Sequence, residues 1–197
     1  MRIAIVMLGL LLWTACSAGS PRSAPSVANP APVRQGYTEA DVRFMQDMVG
    51  HHSQALTMTA LVPGRSTRPD FGLLAERIAV SQRDEIAFMK NWLGQHGEAL
   101  PDPDAHAHAA VGHGTLMPGM LTQAELDTLG RATGRDFERL FLSYMIRHHE
   151  GAIKMVSQLF ATPGSGQEPA LFLFATDVNA DQDSEIKRMR ALLITLQ

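Results

Sequence analysis

Two stretches decide the fold: Phe44-Met45-Gln46-Asp47-Met48-Val49-Gly50-His51-His52-Ser53-Gln54-Ala55-Leu56-Thr57-Met58 and Phe141-Leu142-Ser143-Tyr144-Met145-Ile146-Arg147-His148-His149-Glu150-Gly151-Ala152-Ile153-Lys154-Met155. Phe, Met, His-His, Ala and Met recur between them at a constant offset of 97. A second pair of blocks recurs at an offset of 100: Gln82-x-x-Glu85-Ile86-x-x-Met89-x-x-Trp92-Leu93 and Gln182-x-x-Glu185-Ile186-x-x-Met189-x-x-Leu192-Leu193. The difference in offset is absorbed between the blocks, where each copy carries a Pro-Gly pair, Pro63-Gly64 and Pro163-Gly164. Uncommon residues repeated at fixed spacing in two separate blocks point to an internal duplication of a helix-loop-helix unit.

Apolar residues in both blocks are spaced by three and four, the signature of helix. Four long helices are predicted over roughly 38–61, 70–95, 135–159 and 168–196. A shorter one begins at the capping pattern Thr122-x-x-Glu125 and runs to about Arg131. Thr38 is the expected cap of the first helix, with Asp41 in its first turn. Short loops within each copy make antiparallel neighbours, so the predicted fold is all-α: a four-helix bundle built from a duplicated hairpin.

Advancing about 100° per residue places Phe44, Met48, His51, Ala55 and Met58 on one face, with His52 rotated to its flank. The second copy repeats this with Phe141, Met145, His148, Ala152 and Met155, and His149 at the edge. Glu85 and Glu185 fall at the centre of apolar stripes on the partner helices. A carboxylate there is costly unless it is paired, protonated or bound to a cation. The expected inward quartet is therefore His51, His148, Glu85 and Glu185. Two readings stay open. The quartet is either a metal site or a purely structural network completed by Gln82 and Gln182. The methionines are either core filler or soft ligands. Met48 is close enough along its helix to share an ion with His51 or His52, whereas Met58 is about 10 Å from His51.

The remaining sequence bears on location and partners. A basic start, an apolar run over 3–13 and small residues before Cys16 read as an export signal over 1–15, too short to span a membrane as an ordinary helix. Cys16 is the only cysteine, so no internal disulfide forms. Its position suits lipidation and a membrane anchor, the alternative being plain secretion. The segment 16–36, rich in Ser, Pro, Gly and Ala, reads as a disordered tether. A net charge of -3 without a Lys/Arg cluster argues against nucleic acid. Between the copies, His106, His108 and His113 lie in a polar loop followed by Met117-Pro118-Gly119-Met120. That composition suits either metal capture or an acidic, flexible connector whose histidines are incidental, and imidazole combined with thioether leans toward copper over other transition metals. His96, at a helix end, is read as a dipole partner.

The paired Phe-x-x-x-Met-x-x-His-His-x-x-Ala-x-x-Met and Gln-x-x-Glu-Ile-x-x-Met blocks resemble the DUF305 family of exported bacterial proteins, which includes CopM-like copper metallochaperones. The resemblance covers 37–197, with repeat 1 over 37–98, a His/Met linker and short helix over 99–133, and repeat 2 over 134–197. It implies a ferritin-like bundle and metal ligands at His51, His52, His148 and His149 with Met48, Met58, Met145 and Met155. It also implies a periplasmic copper-sequestering or copper-carrying protein, not an enzyme, that works beside other copper-handling envelope proteins. The alternatives are a ferritin-like metal-dependent oxidoreductase and a metal-free envelope interaction module. Against the oxidoreductase, Met48 and Met145 stand where Glu-x-x-His bundles place a carboxylate.

Overall fold

The structure, a computed structural model, describes residues 36–101 and 116–196. The expected export signal, Cys16 and most of the tether, together with His106, His108 and His113, lie outside the described residues.

Among the described residues, five helices follow in order: α1 Glu39–Thr59, α2 Pro69–Gln95, α3 Gln123–Arg131, α4 Gly134–Ala161 and α5 Pro169–Ile194. None of the described helices is long and apolar enough to cross a membrane. Local chemistry sets the starts. Thr38 and Asp41 form a reciprocal capping box on α1, and Thr122 and Glu125 form another on α3. The α2 and α5 helices open on Pro69 and Pro169, whose missing N–H costs nothing in a first turn. Glu168 adds a side-chain cap to α5 by accepting from the backbone of Ala170 and Leu171. Gly134, at φ +57°, opens α4, and its N–H donates to the Arg65 carbonyl at 2.7 Å.

The helices pack α1 on α2 and α4 on α5, and the two hairpins join mainly through α1 against α4. This is the duplicated-hairpin bundle that the repeats predict. Its core divides in two. One apolar cluster joins the first half of α1 (Phe44, Met45, Met48) and the end of α2 (Met89, Trp92) to the second half of α4 (Met155, Leu159) and the start of α5 (Phe174). The other joins the end of α1 (Met58) and the start of α2 (Phe71, Ile78) to the first half of α4 (Phe137, Phe141, Met145) and the end of α5 (Met189). The α1 and α4 helices therefore run antiparallel, and each cluster mixes both copies about an approximate two-fold axis. Full burial of each Phe or Met contributes about 1.5–3 kcal/mol.

Two reciprocal clasps close the ends. Buried Asp41 accepts from the Gly166 N–H at 2.7 Å, while Thr38 and Ser165 hydroxyls meet at 2.9 Å. Its counterpart at the offset of 97, buried Glu138, accepts from the Ser66 hydroxyl at 2.6 Å. Each copy thus uses an acid near the start of its first helix to hold the loop of the other copy.

Candidate metal centre

A polar belt lies between the two apolar clusters. His51, His52 and His149 are 0% exposed and His148 is 1% exposed. Their contacts differ from the expected inward quartet. His52, not His51, meets Glu85, through Nε2 and Oε2. His149, not His148, donates from Nε2 to Glu185 Oε2 at 2.7 Å. The first histidines instead meet each other across the two-fold axis, His51 and His148 ring centroids lying 3.9 Å apart at 37°. His52 and His149, on the flanks of their stripes, are as fully buried as the first histidines.

The geometric reason is plain. The centre of the α1 stripe faces α4, in the other copy, while its flank faces α2 of its own hairpin. A residue 100° round from the centre is buried by that second neighbour.

Hydrogen bonding sets the state of these rings. A carboxylate accepts, so His52 and His149 carry a proton on Nε2. Their Nδ1 atoms have no protein hydrogen-bond partner. His51 donates from Nε2 to the Pro118 carbonyl at 2.9 Å. The His148 imidazole is held well below the ordinary histidine value, first by burial and then by the neighbouring His51, His149 and His52; hydrogen bonding to the His51 carbonyl offsets this only in part. It is neutral at physiological pH, and its Nε2 has no protein partner. Buried polar atoms of this kind are rare and call for an explanation.

The glutamines do not complete the expected structural network. Gln82 and Gln182 are each 1% exposed, yet neither amide atom of Gln82 and not the carbonyl oxygen of Gln182 has a protein partner. The two copies also differ beside the carboxylates. Ser81 donates its hydroxyl to Glu85 at 3.1 Å, whereas its counterpart is Asp181. The Asp181 carboxyl is pushed up by partial burial and then by Glu85, Glu185 and Asp177.

Met48 and Met155 lie in the cluster on one side of the belt with Met45 and Met89, and Met58 and Met145 lie in the other with Met189. Thioethers thus flank the imidazoles on both sides. Among the described residues, no three His, Cys, Asp or Glu side chains converge as a ready-made cage. His96 is apart from the belt, at the end of α2, stacked on Trp92 and bonded to its carbonyl at 2.8 Å.

Sequence reasoning passed over the turn at 117–121 as a packing element. Leu121 is buried, and its N–H and carbonyl both bond to the Gln54 side chain, at 2.7 and 3.0 Å. The signal was available, because Gln54 and Gly151 occupy equivalent positions and break the repeat.

A family model described as "Domain of unknown function (DUF305)" matches residues 41–193. The chain belongs to the DUF305 family. A DUF305 fragment from Deinococcus radiodurans is similar at 32% identity and TM-score 0.69, over 81% of this chain and 98% of that one. CopM in its Cu(I)-bound form is similar at 27% identity and TM-score 0.60, over 79% and 96%. CopM in its Cu(II)-bound form gives 26% and 0.62, over 80% and 97%. No curated protein matches the chain. The DUF305 match and the CopM likeness agree with the resemblance carried by the repeated blocks.

Proposed function

We propose that this DUF305 protein binds copper in the bacterial envelope, sequestering or carrying the ion rather than catalysing a reaction. The observation that carries the reading is the belt itself: four buried imidazoles, three with a ring nitrogen lacking any protein partner, between two methionine-lined cores. Neutral imidazole ligates Cu(I) and Cu(II), and thioether favours Cu(I). Metal-binding histidines usually donate their other N–H to a carboxylate or carbonyl, which orients the ring and makes it more basic. His52 on Glu85 and His149 on Glu185 have that arrangement, so in this reading the glutamates hold the rings and the imidazoles and thioethers hold the metal. Similarity to CopM, solved with Cu(I) and Cu(II), supports the choice of metal.

Export through residues 1–15 and lipidation of Cys16 would place the bundle at the membrane surface on the periplasmic side. His106, His108 and His113 would capture ions from solution ahead of the belt.

Competition titration of the purified protein with Cu(I), under reducing conditions, and with Cu(II) tests the reading. Binding tighter than about micromolar is expected for at least one ion, and weaker binding of both would overturn it. Replacing all four belt histidines by Leu is expected to abolish that binding, while Met48, Met58, Met145 and Met155 with His106, His108 and His113 stay titratable at lower affinity.

A further inference from the structure

The turn at 117–121 is built against the belt with unusual closeness. Its Gly119 has φ +77°, and a Cβ there would stand 2.4 Å from the Arg147 carbonyl oxygen. A Cβ on Gly151 would stand 2.0 Å from the Pro118 carbonyl oxygen and 2.5 Å from its carbon. Backbone therefore lies on backbone, and only glycine fits on both sides. At the other end Gln54 takes both backbone groups of Leu121. Gln54 and Gly151 are equivalent positions of the duplicated unit, so the turn fits the two copies in one orientation only. The result is that the Pro118 carbonyl points at one histidine of the four, His51.

A carbonyl oxygen accepts and cannot donate. His51 must therefore carry its proton on Nε2, which places the ring lone pair on Nδ1. We infer that the 117–121 turn is a positioning element for the metal site: the Pro118 carbonyl does for His51 what Glu85 and Glu185 do for His52 and His149, fixing the tautomer that presents Nδ1 to the ion. His148, with Nε2 unpartnered, is the one belt ring that no such acceptor constrains at that atom. The duplicated histidines are thus chemically unequal, and the inequality comes from a segment outside the repeat. The consequence for copper rests on the proposed function; the tautomer assignment does not.

The test is Gly151→Ala, which crowds the Pro118 carbonyl while altering none of the four histidines. Alanine is otherwise favourable inside a helix, so a loss cannot be ascribed to helix propensity. Nitrogen-15 NMR of the metal-free protein at neutral pH reads the tautomer, and competition titration with Cu(I) reads affinity. Expected in the wild type is a His51 ring protonated on Nε2. Expected in the variant is a mixed or reversed tautomer at His51, unchanged tautomers at His52 and His149, and at least about tenfold weaker Cu(I) binding. Gln54→Ala, which releases the turn from its other end without crowding, is expected to move both readouts in the same direction and serves if the alanine variant misfolds. An unchanged His51 tautomer in both variants, with faster amide exchange proving the turn released, would overturn the assignment. A shifted tautomer with unaltered Cu(I) affinity would overturn its role in metal binding. A wild-type protein that binds no copper would fail the proposed function and leave the tautomer result standing by itself.

Discussion

Replacing His149 by Leu removes the partner of a carboxylate that is only 7% exposed. Glu185 then keeps no other hydrogen-bond donor among the described residues, and Asp181 adds a like charge that acts on Glu85 and Glu185 alike. Breaking a buried pair from one side costs about 3–5 kcal/mol, because the remaining ion is neither hydrated nor compensated. Replacing both members, His149→Leu with Glu185→Leu, removes the charge as well, and the expected stability is within about 1 kcal/mol of wild type or above it. The first copy provides an internal control. In His52→Leu, Glu85 retains the Ser81 hydroxyl at 3.1 Å, so the expected cost is lower, about 2–3 kcal/mol. Urea denaturation at constant m reads all of these. The double variant should remain folded and, under the proposed function, bind copper more weakly, which separates a group kept for binding from one kept for stability. A double variant as unstable as the single, or equal losses from His52→Leu and His149→Leu, would refute the electrostatic account.

Asp41→Ala removes the α1 capping box and leaves the buried Gly166 N–H without its acceptor, for an expected loss of about 2–4 kcal/mol. Glu138→Ala should cost less, about 1–2 kcal/mol, since Arg68, which faces Glu138 at 3.7 Å, keeps Asp70 at 2.7 Å and is partly hydrated. Denaturant midpoints, with amide exchange at Ser165 and Gly166, check both. The depressed His148 value gives a pH dependence with a defined sign. Above about pH 6.5 the group is neutral in both folded and unfolded chains. Below it, the unfolded chain takes up a proton that the folded site refuses, so stability falls with pH by up to about 1.4 kcal/mol per unit until the site itself is protonated. His148→Phe should flatten that slope when unfolding is followed between about pH 6.5 and 5, and an unchanged slope would show that other groups set it.

The hairpins were legible in the chain alone because helix formation is governed by spacing over a few residues. Capping boxes at Thr38 and Thr122, prolines at Pro69 and Pro169, and the three-four apolar rhythm each act locally. Repetition extended the helices to a bundle, and Glu85 and Glu185 on apolar stripes announced that charge would be drawn inward, Glu185 buried and Glu85 half-buried. Three decisions needed the tertiary structure. A helical face has two flanks and a centre, and its periodicity does not say which neighbour covers each. That is why the glutamates chose His52 and His149, while His51 and His148 met across the two-fold axis. The assignment of thioethers to two mixed clusters depended on the antiparallel docking of α1 on α4, a relation between residues about 100 apart. The turn at 117–121 reached His51 only because glycine at 119 and 151 allowed two backbones to touch. Sequence by itself determined the duplicated helices, the inward-facing acids and the His-His signature. Packing of the helices, and of the 117–121 turn against them, determined which nitrogen of each ring is held.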